Sequence, residues 1–317
     1  MPEVDHRYLT GGDRYQGQPE RMTTTTTIKV RGPYALRESA TFGFGQRLDT
    51  TFDGVMRMAF RVDGAGYASA AGVAVRQDGD TVHVEVHGDA DTDVVTAQVA
   101  RILSLDHDGE EFLEVVRRDP VLRRLQAVAP GLRPPQFHSP YEAAAWAILS
   151  ARRPARQMAA VRERLGREHG ERFELAGESW WAFAAPERLL ELEQIPGPPE
   201  GKVTRLHAVA RAAADGRLDV GRLTAVDPDE AMAALRELPG IGPFYASLIM
   251  VRACGLPDVL VTNEATARDS IGRLYGLPEP PDDEQVAAIA ERWRPFRTWA
   301  AVLVRAATDR LPSEPSA

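Results

Sequence analysis

The sequence predicts an α+β protein in which an N-terminal antiparallel sheet domain precedes a larger all-helical one. Between Val55 and Val86, apolar and polar residues alternate in short runs separated by turn signals; from Pro140 to about Arg310, apolar residues recur at helical spacing. Between the two lies APGLRPPQFHSP, whose four prolines in twelve residues mark a boundary. The expected limits are a disordered tail over 1–27, the sheet domain over 28–130 and the helical domain over 131–317.

The tail ends in MTTTTT, a run without periodicity and with little to bury, and Met22 is a candidate start. A helix follows from Leu36 to Arg47. VMRMAFRV alternates, YASAAGVAV follows a DGAG turn, and DTVHVEV follows a DGD turn, which together predict an antiparallel meander. A second helix, from about Asp93 to Leu105, completes a small unit with one sheet face covered and a structural role. In the helical part Ser139 caps a helix that begins at Pro140 in SPYEAAAWAILSA. RQMAAVRERLGREHG, APERLLELEQI, KVTRLHAVARAAADG, DPDEAMAALREL, PFYASLIMVRACG, NEATARDSIGRLYG and DDEQVAAIAERW then read as helices in turn.

With 317 residues, 44% hydrophobic and 26% charged, the chain can bury a substantial core, and its length suits two or three domains. The single cysteine, Cys254, excludes a disulfide framework, a four-cysteine iron–sulfur cluster and a cysteine-rich zinc site. The first thirty residues lack the apolar core of a signal peptide, and no apolar run is long enough to span a bilayer. The expected compartment is therefore the cytoplasm, with no membrane role. A net charge of −8 gives no global attraction to nucleic acid, so any DNA binding has to come from local geometry.

One motif offers such geometry. In LPGIG (Leu238, Pro239, Gly240, Ile241 and Gly242), glycines on either side of an apolar residue permit a tight turn, Ile241 can plug the gap between two helices, and the amides opening the next helix can hold an anion. Backbone donors need no basic side chain. An ordinary joint between helices, with glycine as a C-cap, fits the same letters. About twenty residues on, TNEAT opens another helix with Glu264 as its lone carboxylate. That pattern is both a common N-cap and a place where the helix dipole favours a negative charge.

LPGIGPFYA resembles the hairpin of the helix–hairpin–helix DNA glycosylase superfamily. GPYALRESATFGFGQR, APGLRPP, APERLL and ERWRPFRTWAAVLV resemble the pattern of its 3-methyladenine DNA glycosylase II branch, in the same order. The resemblance implies a sheet domain, two helical subdomains with a cleft between them, and double-stranded DNA carrying a damaged base as the partner of a monomeric enzyme. It implies that the damaged nucleotide leaves the stack and its N-glycosidic bond is cut. It implies no cofactor beyond a monovalent cation, Na+ or K+, held by hairpin carbonyls, and a cytoplasmic, nucleoid-associated place in a bacterial cell.

Carried over residue by residue, the resemblance puts Glu264 where the family has its catalytic aspartate, with Asn263 before it and Asp269 as a weaker candidate. Pro243, Phe244 and Tyr245 offer no amine, which implies simple hydrolysis without lyase chemistry. Arg152 and Arg153 stand where the family has a glutamine-containing stretch beside the vacated base, and are expected to wedge or to contact phosphates. The base pocket falls to Phe244, Leu248 and Arg305, the last in place of an indole. A guanidinium there disfavours a cationic alkylated base. Trp146, Trp293 and Trp299 read as core, and His138, with no second histidine at ligand spacing, reads as a loop hydrogen-bonding group. The resulting expectation is a monofunctional glycosylase acting on damaged, alkylated DNA through Glu264. A catalytically silent DNA-damage or DNA-structure binding protein of the same fold is the alternative.

Overall fold

The alternation between Val55 and Val86 becomes a four-stranded antiparallel sheet in the computed structural model, which describes residues 22–42, 51–198, 200–260, 264–277 and 281–312. Its strands are β1 (Thr23–Lys29), β2 (Met56–Arg61), β3 (Ala70–Asp78) and β4 (Thr81–His87), in the spatial order β1-β4-β3-β2. Helix α1 (Leu36–Ala40) follows β1, and α2 (Thr92–Ile102) follows β4. Met58 and Phe60 of β2, Val73 and Val75 of β3, and Val84 and Val86 of β4 share one face and bury against Val95, Val99 and Ile102 of α2. On the opposite face, Ala59 and Ala70 meet Phe173 and Leu175. At Gly72 an added Cβ would lie 2.6 Å from the Phe173 ring, so the strand can carry no side chain there.

Three expectations are corrected here. The threonines given to a disordered tail form β1, in register with β4 from Thr23 opposite His87 to Lys29 opposite Thr81. They are mostly exposed, so they show no apolar alternation, yet β-branched residues suit the pleat and the ladder to β4 holds them. The first helix stops at Ala40, where the Thr41 hydroxyl donates to the Arg37 carbonyl at 2.8 Å; residues 43–47 of the expected span lie outside the described residues. The sheet is also covered on both faces, because a hairpin of β5 (Arg172–Leu175) and β6 (Glu178–Trp181) closes the side that the sequence left open.

The remaining helices are α3 (Gly109–Arg118), α4 (Pro120–Val128), α5 (Pro140–Ser150), α6 (Ala155–His169), α7 (Pro186–Leu190), α8 (Glu200–Ala214) and α9 (Val220–Thr224), then α10 (Pro228–Arg236), α11 (Pro243–Arg252), α12 (Ala265–Tyr275), α13 (Asp283–Ala290) and α14 (Arg297–Ala307). They form two cores. The first gathers α5, α6, α8, α10 and α11 around residues such as Ile148, Leu206, Leu235 and Ile249. Pro140 to Leu149 of α5 are all buried, as expected of a helix apolar on every side at the centre of a body. The second core joins Phe112, Val115 and Leu122 to Ile271, Trp293, Trp299 and Leu303. Thus α3 and α4, which precede the expected boundary at residue 130, pack with the C-terminal helices rather than with the sheet. Trp146, Trp293 and Trp299 are core residues. Among the described residues no helix is long and apolar enough to cross a membrane.

Among the described residues, each core holds a buried carboxylate. Glu142 in α5 accepts the Arg61 amide of β2 at 3.1 Å, pairs with Arg162 of α6 at 2.7 Å and meets His138 Nδ1 at 3.3 Å. Burial alone would raise its pKa, but the His138 and Arg162 charges overcome that and hold it down at about 2. In the second core Asp119 caps α4 and accepts the Tyr275 hydroxyl at 2.8 Å and the Trp293 indole N–H at 3.2 Å, all neutral donors.

Candidate active site

The turn between α10 and α11 places its two apolar residues inward. Leu238 and Ile241 are buried in the first core, and the Ile241 amide donates to the Leu238 carbonyl at 3.0 Å. Gly240 has φ +94°, and a Cβ there would come within 2.9 Å of Ile148 Cδ1 and 3.0 Å of Arg205 Cδ, so the fold itself requires glycine. Gly242 is different. Its φ of −88° and ψ of −179° suit any residue, and nothing lies within 4 Å of an added Cβ. No side chain caps the start of α11 and Pro243 brings no N–H, so the Phe244 and Tyr245 amides have no side-chain cap. Pro239 is exposed beside them.

A local positive rim adjoins this turn. Arg152 and Arg153 are exposed in the turn that ends α5; Arg152 holds a left-handed φ of +56°, unusual for a side chain with a Cβ. Lys202 of α8 closes the end of α5, its Nζ donating to the Leu149 and Ala151 carbonyls at 2.6 and 2.9 Å. Burial lowers the pKa of this ammonium, and the nearby Arg153 and Arg205 lower it further. Since the Arg205 stem also lies against Gly240, the α5 end, one side of α8 and the α10–α11 turn are neighbours. Lys202 and Arg205 were not among the residues expected at the site. Their signal is two cations three residues apart, and so on one side of a helix that is otherwise largely apolar.

Glu264 opens α12 on the second body. Its Oε2 accepts the Ala267 amide at 2.7 Å, so the carboxylate is the N-cap that the sequence allowed. The same oxygen lies 3.5 Å from Nε of Arg305 on α14. Arg305, expected as a pocket wall, is thereby the ion-pair partner of the candidate catalytic group. Asp269 lies exposed one turn further along α12, and Thr262 and Asn263 fall outside the described residues. Phe244 and Leu248 sit half-buried four residues apart on α11, the Phe244 ring edge-on to Tyr245 at 5.3 Å and Leu248 packed on the first core. The expected site residues therefore fall into two groups. The turn, the cations, Phe244 and Leu248 belong to the first body; Glu264 and Arg305 belong to the second. His138, read as a loop hydrogen-bonding group, meets the buried carboxylate of Glu142 on α5.

No family model matches the chain. Over 211 residues it is 30% identical to a Mycobacterium tuberculosis protein described as "Probable bifunctional transcriptional activator/DNA repair enzyme AlkA", a match covering 65% of this chain and 41% of that one. It thus spans less than half the length of that relative. Escherichia coli DNA-3-methyladenine glycosylase 2 is 29% identical over 183 residues, covering 56% of this chain and 61% of the relative. Among solved structures, a 3-methyladenine DNA glycosylase from Archaeoglobus fulgidus superposes with a TM-score of 0.73 at 22% identity, over 90% of this chain and 98% of that one. The apo 8-oxoguanine glycosylase/lyase of Clostridium acetobutylicum gives 0.64 at 16% identity, over 91% and 98%. At those identities the structural likeness speaks for the fold.

Proposed function

We propose that this chain, which belongs to the helix–hairpin–helix DNA glycosylase superfamily, binds duplex DNA through the α10–α11 turn, accepts a damaged base flipped out of the stack, and hydrolyses its N-glycosidic bond with Glu264 as the catalytic carboxylate. The observation that carries this reading is the pairing of an uncapped helix start with a glycine, Gly242, that the fold does not require, beside Lys202, Arg205 and Arg153 on a chain of net charge −8. A phosphate supplies the reason for both features, since it needs open backbone amides and a local positive field.

In this reading the turn and its cations hold the backbone, Arg152 and Arg153 enter or flank the gap left by the base, and Phe244 and Leu248 line its path. Base departure breaks the C1′–N bond, the electron pair leaves with the base, and positive charge develops on the sugar. The carboxylate of Glu264, held in place by the Ala267 amide, stabilises that charge; water then adds to C1′ and gives up a proton. No lysine follows the turn, which supports simple hydrolysis. The Leu238 and Gly242 carbonyls each accept one amide, from Ile241 and Ala246, and keep a second lone pair. A neutral oxygen set of that kind suits an alkali cation, which would add positive charge at the phosphate.

The test is incubation with duplexes that each carry one modified base, scored for abasic sites. Excision of at least one base is expected. Duplex binding without excision of any of them would favour the silent binding protein instead.

A further inference from the structure

We infer that Arg305 makes this site select bases by charge, favouring lesions that are neutral and leave as anions over lesions that carry a positive charge. The inference rests on the glycosylase reading of Glu264 and deepens it.

The second body is rich in arginines, and most are paired with carboxylates other than Glu264. Arg268 pairs with Asp283, Arg273 with Asp309, Arg294 and Arg297 with Asp258, and Arg310 with Glu38. Arg305 differs: among the described residues its ion-pair partner is Glu264. The pair is also loose. Nε stands 3.5 Å from Oε2, whose hydrogen bond goes to the Ala267 amide, and the two side chains remain 43% and 26% exposed. The guanidinium is therefore held beside the carboxylate by charge while its donors stay available to an incoming group. The helix that carries it is anchored, because Trp299, Val302, Leu303, Val304 and Ala307 are buried.

Two consequences follow for a base brought to Glu264. A cationic base meets a second cation within a few ångströms in a partly desolvated place, where like charges repel strongly. It also departs as a neutral molecule, so a guanidinium contributes nothing to its release. A neutral base takes the C1′–N electron pair and departs as an anion, which then accepts a proton from water. There the guanidinium stabilises the leaving group as Glu264 stabilises the sugar, and the ion pair separates its two charges onto the two fragments.

The experiment compares two duplexes that differ only in the target: hypoxanthine, which is neutral, and 7-methylguanine, which is cationic. Single-turnover excision of each is measured for the wild type, Arg305→Gln and Arg305→Lys, and the neutral-to-cationic rate ratio is the readout, so that intrinsic bond lability cancels between variants. Arg305→Gln is expected to lower the ratio tenfold to a hundredfold, on the order of the loss of one preorganised electrostatic partner, while Arg305→Lys stays near the wild type. Should the glutamine variant unfold, Arg305→Met makes the same comparison. A ratio unmoved by removal of the charge overturns the inference alone, as does a lysine variant that behaves like glutamine. Failure of the wild type to excise any base overturns it together with the glycosylase reading.

Discussion

The two helical bodies offer opposite kinds of chemistry. The body around α10 and α11 presents backbone, with its key positions held by glycine; the body around α12 and α14 presents side chains, a carboxylate and a guanidinium joined as a pair. A backbone site is indifferent to which side chains lie nearby but cannot accept one in the wrong place. A side-chain site can keep its geometry while its residues change, and change its selectivity with them. In the proposed function the first body would carry general affinity for a polyanion and the second would carry choice.

The sharpest way to break this contrast is Glu264→Gln. The amide oxygen can still accept from Ala267, so folding and duplex affinity are expected to stay near wild type while excision falls on the order of a hundredfold or more. Glu264→Asp retains the charge on a residue that caps equally well, and its activity at or above wild type would mark the longer side chain as a tolerated variant. Equal excision rates for wild type and Glu264→Gln would reduce Glu264 to a helix cap.

On the backbone side, Gly242→Asp and Gly240→Ala should separate binding from folding. An added group at Gly242 meets nothing within 4 Å, so the aspartate variant should fold normally yet bind every duplex roughly tenfold more weakly or worse, as a gel-shift titration would read. At Gly240, with φ +94°, alanine should instead cost about 1–2 kcal/mol of stability by denaturant unfolding. Intact affinity in the Gly242→Asp protein would leave the turn a structural joint only.

Acid should act on the first body through Glu142. Glu142 has a folded pKa of about 2, below its unfolded value, so its stabilisation is complete above about pH 4.5 and is lost as pH falls from there toward 2. Glu142→Gln leaves His138 and Arg162 without their buried counter-charge. It should cost about 3 kcal/mol at neutral pH and flatten the acid limb of a stability-versus-pH curve. An unaltered acid limb would assign acid sensitivity to other carboxylates.

The smallest expected effect comes from the rim. Replacing Arg152 and Arg153 with alanine should weaken duplex binding and flatten its salt dependence by roughly one unit of slope for each phosphate that is no longer neutralised. An unchanged slope would place both side chains away from DNA.

Elements with a capping signal or an alternating pattern were legible in the sequence. Ser139 and Pro140 announced α5, and the alternating valines announced β3 and β4. The threonines of β1 were not, because their order comes from hydrogen bonds to a strand nearly sixty residues away rather than from a buried face. The β5–β6 hairpin hid in a short run whose turn uses left-handed Ala176 and Gly177, with only Gly177 conspicuous as a turn former. At the site, the turn and Glu264 were readable as local patterns. The meeting of Glu264 with Arg305 was not, since it depends on α12 and α14 packing side by side and leaves no trace in either segment alone.

The packing of α3 and α4 with α12 to α14 bears on how the chain is made. Phe112 leaves the ribosome long before Trp299, its ring partner at 5.3 Å. At ordinary elongation rates that interval is about 10–40 s, far longer than a helix or a local collapse needs to form. During it the sheet and the first body can complete themselves, while the apolar faces of α3 and α4 wait uncovered. The second body, and Glu264 with it, can close only once α14 has been made, so a nascent chain halted before α14 would carry the α10–α11 turn without the Glu264–Arg305 pair.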